Sequence, residues 1–435
     1  MKLTPSIRLY GLGAILLTAL VACAFRGTGA KAFFVPMVVA AVAYLMAIRE
    51  FFRTSRFPRQ AILVCLVLSA LWRIPFLLTP VAPHDDLLRY VWDGRVQRLG
   101  YNPYTVIPAD PAFAGLHTRE TRGLNNPEVP SPYPPGAQHF FRAVTAIHES
   151  AFAFKIAFVL CDLAIIVLLF SILHHTGQGE HWVLAYAWHP LVATEIAGSG
   201  HIDIVGVLLL LISAAALGRR WRALAAIAFA LAVAVKFVPL VLVPLYWRRL
   251  RLRDALLAVL VFGLLYVPFL KGGRIPIGSL GTFVQRFRFN SPIFAVLERV
   301  TSPQIVAAVA IIAGLVTAAW LRIKSPECRT DVWAWPMAAS LACAPVVYPW
   351  YLLWLLPFLR SVTTLPLTVW TLSILSTYLV WYLRPLGHLW KVPAWILLVE
   401  YGCVVVSGVF VWLSQLLARH ATVTATADEL PSRMP

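Results

Sequence analysis

The chain has 435 residues, of which 60% are hydrophobic and 13% are charged, and its formal net charge is +18. Its mean hydropathy is +0.76. Soluble domains contain about half apolar and a quarter charged residues, so this composition excludes a soluble globular protein and predicts an integral membrane protein. The apolar runs are continuous and do not alternate with polar residues, which excludes an outer-membrane barrel. They predict an all-α, polytopic transmembrane helical bundle.

The excess positive charge lies in short connectors between apolar runs, such as "RRWR" (219–222) and "RRLRLRD" (248–254). This pattern is typical of loops that stay on the cytoplasmic side of a membrane. We therefore attribute the charge to topology and expect no nucleic-acid partner. The six cysteines show no CxxC or Cys/His metal spacing, so neither a zinc site nor a disulfide framework is expected.

Walking along the chain gives about 11–13 hydrophobic segments, because two of the apolar runs look too short or too broken to be simple spans. Residues 1–420 are predicted to form a single integral membrane domain, and the polar tail 421–435 is predicted to be disordered. The approximate bounds of the segments are 9–25, 33–49, 61–80, 152–173, 182–199, 202–218, 223–247, 255–270, 304–321, 333–348, 350–360, 364–383 and 393–417.

The basic loop "REFFRTSRFPR" (49–59) predicts the orientation of the bundle. Its arginines place it in the cytoplasm, so the third segment delivers residues 81–150 to the extracytoplasmic side. This long first extracytoplasmic loop is the longest connection in the chain. The remaining polar stretches follow on the same side in this topology: 198–203, 271–292, 347–350 and 384–393.

The segment 223–247 separates two basic loops that both belong in the cytoplasm. It contains Lys236, followed by Pro239 and Pro244. Lysine at membrane depth is costly unless it faces protein, water or an anion, and prolines interrupt helical hydrogen bonding. Two half-helices that form a hairpin with Lys236 near the turn fit this pattern. The alternative is one full span with a basic loop outside, and we favour the hairpin.

The loop opens with "HDDLLRYVWDGRVQRLGYNPY", which predicts an interfacial helix that follows Pro83, begins at Asp85 or Asp86, and reaches about Leu99. Polar residues recur at i, i+3, i+4 and i+7 and so share one face: Asp86, Arg89, Tyr90 and Asp93. The opposite face is apolar and is predicted to lie on the membrane interface: Leu87, Leu88, Val91 and Trp92. The alternative is that Asp85 only caps the helix and the other charges are solvated.

This stretch and four later ones carry a family resemblance: "YPPGAQ", "HPLVATEIAGSGHID", "KFVPLVLVP" and "YPWYLLWLLPFL". Together they resemble bacterial glycosyltransferases of superfamily C (GT-C), and within it the mannosyltransferase-like branch that takes its sugar from a polyprenyl phosphate. The likeness runs from about residue 60 to 360. It implies a bacterial inner-membrane enzyme that acts on the extracytoplasmic face. It also implies a catalytic base in the first outer loop, a role that Asp86 or Asp85 would inherit by position.

The chemistry agrees with this resemblance. Transfer of a sugar to a lipid or glycan hydroxyl needs a base to accept the proton, and a polyprenyl-phosphate leaving group needs cations nearby. The candidate cations for that phosphate are Arg89, Arg95, His201, Lys236, Arg286 and Arg288. The further candidate substrate-binding residues are Tyr90, Asp93, Tyr133, Asp203 and Tyr348. Donor, acceptor and membrane lipids are the expected partners.

Some relatives carry an Asp-x-Asp or Glu-x-Asp metal signature, whereas this loop has adjacent aspartates, so we expect no metal and no other cofactor. Three polar positions keep a structural alternative. His201 and Asp203 fit helix capping after "GSG" as well as a site, and Glu195 within a span requires either a salt bridge or a site role. His189 before Pro190 is typical of a kinked helix with a hydrogen-bonded histidine.

A polytopic transporter or lipid flippase is the alternative function. Transporters usually contain paired halves with broken helices at corresponding positions, and here only the helix near Lys236 is broken. A purely structural membrane partner leaves the clustered carboxylates unexplained. The sequence therefore favours a glycosyltransferase.

Overall fold

The computed structural model describes residues 4–25, 29–82, 85–270, 276–324 and 330–428, with side chains described as far as 418. Within these ranges the chain is helical throughout and forms no β-strand; Phe289 and Val346 form an isolated bridge. The predicted all-α fold class is confirmed. Pro83 lies outside the described residues, as do 429–435 of the predicted tail.

The first four helices precede the long loop and pack against one another. Helix α1 begins after Thr4, whose hydroxyl caps it, and forms a hairpin with α2 in which Arg8 pairs with Glu50 at 3.1 Å. Helix α4 ends at Leu77, a few residues before the two aspartates. The bounds are α1 Pro5–Ala24, α2 Ala30–Arg53, α3 Arg59–Leu71 and α4 Arg73–Leu77.

The long loop folds into its own short elements. Helix α5 (Asp86–Arg98) packs along α6 (Pro135–Ile147), and two 3₁₀ turns, Pro111–Leu116 and Thr121–Gly123, lie between them in sequence. Helix α5 ends where Gly100 adopts φ +86°, a conformation that glycine tolerates without strain. The predicted helix within the loop is therefore present, with the predicted bounds.

The middle of the chain holds both long helices and short, interrupted ones. Before Pro190, His189 accepts from the Leu191 amide at 3.1 Å and contacts the Thr371 hydroxyl at 2.9 Å, which confirms the predicted kink with a hydrogen-bonded histidine. The bounds are α7 Ala151–His175, 3₁₀ Glu180–Trp182, α8 Val183–Ala187, α9 Pro190–Val192, a π-helix Ala193–Gly198, α10 Asp203–Gly218 and α11 Arg222–Val235.

The segment that contains Lys236 is a hairpin, as favoured from the sequence. Helix α11 stops at Val235, Lys236 is extended, and a 3₁₀ helix, Val238–Tyr246, returns. One common pocket is lined by residues 220–224 and by Arg251, Arg253 and Asp254, so both basic loops lie at the same end of the bundle. The prolines at 239 and 244 account for the 3₁₀ geometry, because each removes an amide donor.

The remaining helices complete the bundle. The long ones are α12 Leu252–Tyr266, α15 Pro303–Lys324 and α19 Ala394–Asp428; the short ones are α13 Leu280–Arg286, α14 Pro292–Leu297, α16 Ala334–Ala342, α17 Leu365–Ser373 and α18 Leu379–Leu383. The 3₁₀ turns of this half are Val267–Phe269, Thr330–Trp333, Pro349–Trp354, Leu356–Phe358, Val362–Thr364, Ile374–Tyr378 and Arg384–Leu386.

Eight helices of the described chain are long and apolar enough to cross a membrane: Pro5–Ala24, Ala30–Arg53, Arg59–Leu77, Ala151–His175, Leu252–Phe269, Pro303–Lys324, Val362–Leu386 and Ala394–Ala418. The other predicted segments are present as shorter or broken helices, which confirms a polytopic helical bundle.

The bundle has two distinct ends. We call the loop end the one that carries α5 and α6, the start of α10 and Lys236. We call the basic end the opposite one, where residues 219–222 and 248–253 lie. Helices α7 and α10 pack together and run from the loop end to the basic end. Between the ends, Arg73 pairs with Asp162, which also accepts from the Tyr186 hydroxyl at 2.8 Å, so these buried charges are neutralised.

Candidate functional site

The two adjacent aspartates occupy the N-terminus of α5. Asp85 is the N-cap and its carboxylate accepts from the Leu87 amide at 3.3 Å. Asp86 is the first helical residue and accepts a hydrogen bond from the Asn125 side chain. Both are only partly buried, whereas residues 87–94 of the helix are buried. The carboxylates therefore lie at the predicted start of the helix, and of the two positions left open by the sequence Asp85 is the one that caps it.

The predicted polar face of α5 exists, but the protein itself covers it. Arg89 pairs with Asp93 at 3.0 Å and donates to the carbonyls of Asn126, at 3.3 Å, and Val129, at 3.0 Å. Both charged side chains are buried. With these partners Arg89 fastens the loop segment 125–138 to the helix, and its role as a phosphate ligand stays a prediction.

Asp93 completes this ladder of hydrogen bonds. Its carboxylate accepts from the Ser131 hydroxyl and, at 2.9 Å, from the Gln138 amide. One position further, Gly94 lies so close to α6 that an added Cβ would be 2.5 Å from the Phe141 carbonyl oxygen. Helix α5 is thus held rigidly at its middle, which fixes the direction of the carboxylates at its start.

The apolar face of α5 corrects one expectation. Its four large side chains, predicted to lie on the membrane interface, are buried in the protein, with at most 5% of each exposed. Val106 and Leu124 of the same loop pack against Leu88 and Trp92. The loop is long enough to fold back over the helix and bury these side chains. The periodicity of the helix sequence alone does not indicate which part of the protein its apolar face contacts.

The second part of the site is a histidine that pairs with a glutamate. His201 lies 3.3 Å from a Glu195 carboxylate oxygen, and its ring stacks on Trp350 with centroids 4.0 Å apart. Glu195 also accepts from the Tyr378 hydroxyl. It belongs to the π-helix, a helical form that frequently marks functional sites. Glu195 therefore satisfies the expected requirement for a partner inside the bundle.

The third part is a lysine–aspartate pair. The Lys236 ammonium lies 2.7 Å from one carboxylate oxygen of Asp203, and the Trp354 indole donates to the same oxygen at 2.7 Å. The ammonium also lies 3.7 Å from the centre of the Tyr351 ring, a cation–π contact. About 20% of the Lys236 side chain is exposed, against 1% for Asp203. Asp203 is thus an ion-pair partner as well as the first residue of α10.

These three parts lie close together. The charge of Asp86 acts on both His201 and Lys236, and the charge of Asp85 acts on His201. We call this group the loop-end cluster. Its members are Asp85, Asp86, Glu195, His201, Asp203 and Lys236, with the aromatic side chains Tyr348, Trp350 and Tyr351.

The predicted tyrosines border the cluster. Tyr348 stacks on Trp350 at 4.4 Å and extends the aromatic column that His201 begins. Tyr90 packs edge-on against Tyr133 at 5.2 Å, and both lie within the field of Asp86. Burial and that negative charge raise the pKa of both phenols well above the ordinary value. They are therefore neutral hydrogen-bonding groups.

Three predicted phosphate ligands have other surroundings. Arg95 donates to the Leu116 carbonyl at 2.8 Å and pairs with Glu149. Arg288 pairs with Glu298 at 2.8 Å and lies over the Phe294 ring at 4.6 Å. Arg286 is exposed at the end of α13. The structure therefore gives Arg95 and Arg288 structural partners, and it brings Lys236 and His201 to the cluster.

The surroundings of the cluster shift the pKa of two of its members, Asp85 and His201. Burial, and then the charge of Asp86, raises the pKa of Asp85 to about 6, although His201 opposes the shift. Burial alone lowers the pKa of His201, but the hydrogen bond and charge of Glu195, together with Asp86 and Asp85, outweigh it and raise that pKa above the ordinary value. His201 is accordingly protonated more readily than a free histidine, because three carboxylates surround it.

The structure also brings in residues that the sequence analysis did not select. Asn125 holds Asp86, and Lys155 donates to the Phe76 and Thr79 carbonyls at 3.0 and 2.8 Å while it acts on Asp85. Trp350 and Trp354 support His201 and Asp203. A lysine in the first turns of an otherwise apolar span was a usable signal for Lys155, whereas Asn125 stands in a loop with no periodicity.

In the ranges that the structure describes, no three His, Cys, Asp or Glu side chains are arranged to hold a metal ion. The cluster instead combines a carboxylate pair at a helix start, two cations and an aromatic wall. Such a set is suited to binding a polar, phosphate-bearing ligand at a membrane surface and to moving a proton from it.

Comparison with known proteins agrees with this chemistry. Residues 12–249, more than half of the chain, match the MptA_B family, described as alpha-(1->6)-mannopyranosyltransferase, N-terminal domain. No curated protein and no solved structure matches the chain. The matched range includes both aspartates of α5, His201, Asp203 and Lys236, while the aromatic wall at 348–351 lies beyond it. The chain belongs to the MptA_B family, a mannosyltransferase family of the GT-C superfamily, and is a membrane mannosyltransferase.

Proposed function

We propose that this mannosyltransferase takes mannose from a polyprenyl phosphate and transfers it to a hydroxyl of a lipid or glycan acceptor on the extracytoplasmic face of the bacterial inner membrane. The observation that carries the proposal is the juxtaposition of the Asp85–Asp86 pair with His201 and Lys236 at the loop end. This arrangement supports the proposal, because transfer from a phosphate leaving group needs a base for the acceptor proton and positive charge beside the phosphate.

Asp86 acts as the general base. It stands on the first turn of α5, is partly exposed, and receives a hydrogen bond from Asn125 that orients its carboxylate. Its charge reaches His201 and Lys236, so an acceptor hydroxyl beside it also lies near the cations. Asp85 caps the helix.

Lys236 and His201 hold the phosphate of the donor. Lys236 keeps a fifth of its side chain exposed despite its pairing with Asp203, so a second anion has access to the ammonium. His201 is fixed by Glu195 and Trp350. As bond cleavage leaves negative charge on the phosphate, both cations stabilise it. The polyprenyl chain lies in the bilayer.

The aromatic column His201–Trp350–Tyr348 forms the wall that receives the sugar. Its rings are nearly parallel, with interplanar angles of 14° and 13°. The apolar face of a hexose packs well on such flat surfaces, because aromatic side chains provide large apolar contact areas. The neutral hydroxyls of Tyr90 and Tyr133 supply hydrogen-bond partners close to Asp86.

The test is an assay of the purified chain with labelled polyprenyl-phosphate mannose and a lipid or glycan extract as acceptor. We expect label in the acceptor, with no requirement for nucleotide sugar. Transfer from a nucleotide-linked mannose alone would overturn the donor assignment and leave the family membership intact. Uptake of a labelled substrate into reconstituted vesicles without transfer would favour the transporter alternative.

A further inference from the structure

A cavity at the basic end is separate from the loop-end cluster. It has a volume of about 620 Å³ and lies where α7 and α10 end. Helix α10 begins at Asp203 in the cluster and lines the cavity from Leu211 to Gly218, so the cavity wall lies about 12–23 Å from Asp203 along the helix axis. A ligand in this cavity therefore does not belong to the transfer site.

The walls of the cavity differ in chemistry. Its interior is apolar, with Ile172 of α7 and Leu211 of α10, and its rim holds the exposed side chains of Gln178 and Arg219. Cavities of 300–1,000 Å³ with an apolar wall and a few convergent polar groups are typical ligand sites. The combination fits a molecule with one apolar part and one charged part.

Arg360 provides an incompletely used donor group at this cavity. One terminal nitrogen donates to the Thr330 hydroxyl at 2.7 Å and the other reaches the Gln178 side chain at 3.4 Å. Its Nε is buried without a hydrogen-bond partner in the described part of the chain. Each terminal nitrogen carries two N–H groups and makes only one of these contacts, so it can still donate to an oxygen anion in the cavity.

The net charge and the depth of the cavity indicate the ligand. Arg219 and Arg360 outnumber the acidic residue of the wall, Asp331, which lies in the field of Arg360. Trp182 lines the cavity, and Trp221 at the same end is 60% exposed. Tryptophan is enriched at the level of lipid headgroups. The cavity therefore lies where phosphates of the bilayer are found.

From these observations we infer that the cavity binds a glycerophospholipid. Its phosphodiester accepts from Arg360 and Arg219, and its acyl chain follows the apolar wall between α7 and α10. Arginine suits this role because its planar fork donates to two phosphate oxygens at once. The site is independent of the mannose donor, since no residue of the loop-end cluster contributes to it.

The test is native mass spectrometry of the full-length, delipidated protein titrated with phosphatidylglycerol. Arg360→Gln should weaken retention of the lipid at least tenfold. Arg253→Gln is the matched control: this side chain is 74% exposed at the same end but outside the cavity, and retention should stay unchanged. Equal retention by Arg360→Gln and the unmodified protein overturns the proposal.

Two further arms keep the result decisive if Arg360→Gln does not fold. Ala215→Phe fills the cavity from α10 without removing a charge, and it should also abolish retention; unchanged retention contradicts the site. Inorganic phosphate replaces the lipid in a parallel titration that follows thermal stability. Stabilisation by phosphatidylglycerol but not by phosphate supports the lipid, whereas equal stabilisation by both overturns it.

Discussion

The ammonium of Lys236 lies 2.7 Å from one carboxylate oxygen of Asp203 and 3.0 Å from the other. This pair joins the turn of the hairpin to the first residue of α10. Asp203 is fully enclosed, while Lys236 remains partly accessible. The buried Asp203 carboxylate thus serves the fold, while the partly exposed Lys236 ammonium is open to a ligand anion.

The first prediction separates these two roles of Lys236. Lys236→Met leaves the buried Asp203 charge with the Trp354 indole as its remaining partner, and breaking a buried pair in this way typically costs about 3–5 kcal/mol. We expect a low yield of folded protein. The double variant Lys236→Met/Asp203→Asn removes both charges, so its yield should recover.

The rate of mannose transfer from the donor then distinguishes the structural role of Lys236 from a role in donor binding. If Lys236 holds the donor phosphate, the double variant should fold yet transfer mannose at least tenfold more slowly at limiting donor concentration. Lys391→Met makes the same change at an exposed lysine of the loop end and serves as the control with normal transfer. Full activity in the double variant would reduce the pair to a structural element.

A second prediction concerns Gly94 of α5. A Cβ at this position would lie 2.5 Å from the Phe141 carbonyl and 2.6 Å from the Thr145 side chain. Because a backbone oxygen cannot retreat, Gly94→Ala should push α5 away from α6 and cost about 1–3 kcal/mol. Thermal unfolding and transfer rate, measured together, should both decrease.

The matched control for Gly94 is Gly263 of α12, where a new Cβ meets nothing within 4 Å. Alanine there should leave the protein equally stable or more stable, by up to about 1 kcal/mol, since alanine favours the helix. If both alanine variants behaved alike, the close packing of α5 on α6 would have no part in fixing the carboxylates.

A third prediction concerns the membrane side of the cluster. A reporter fused within 105–130 should be extracytoplasmic, and one at 53–56 should be cytoplasmic, because the basic loops gather at the end opposite the long loop. Alkaline phosphatase and fluorescent-protein fusions distinguish the two sides. The reverse pattern would put the cluster on the cytoplasmic side and contradict the proposed face of action.

Some of these elements could be predicted from the sequence and others could not. The position of α5, the cap at Asp85 and the hairpin at Lys236 all followed from local rules: a proline, a capping residue and a charge at membrane depth. The covering of α5 by segment 125–138 did not follow, since it depends on contacts between distant residues such as Arg89 and Val129. For the same reason the contacts that Arg89 and Arg95 make within the protein did not follow from the sequence.

The fourth prediction is a pH dependence of stability at Asp85. Burial raises its pKa in the folded protein to about 6, above the unfolded value of about 3.9. The folded protein therefore holds the proton more tightly, so the ionised group destabilises the fold above pH 6. This penalty disappears as the pH decreases from about 6 to about 4.

Asp85→Asn removes this titration and retains a capping side chain. The variant should be more thermostable than the unmodified protein at pH 7.5, and the difference should shrink progressively towards pH 4.5. Asp110→Asn is a suitable control, because Asp110 caps an exposed 3₁₀ turn in the same loop. A difference independent of pH would show that burial does not act on Asp85 as described.

The last prediction assigns the base. Asp86 and Asp85 differ in their contacts. The Asp85 carboxylate caps the helix by accepting from the Leu87 amide. The Asp86 carboxylate is oriented by a hydrogen bond from Asn125 and interacts electrostatically with His201 and Lys236. Loss of a general base typically reduces the rate by about 10² to 10⁴. Asp86→Asn should therefore abolish measurable turnover in a protein that still folds and still binds the donor. Asp85→Asn should keep substantial activity, because asparagine caps a helix about as well as aspartate. Turnover and donor binding of the two variants, measured side by side, decide the matter. An active Asp86→Asn enzyme with an inactive Asp85→Asn enzyme exchanges the two roles, and activity in both removes the carboxylate pair from the mechanism.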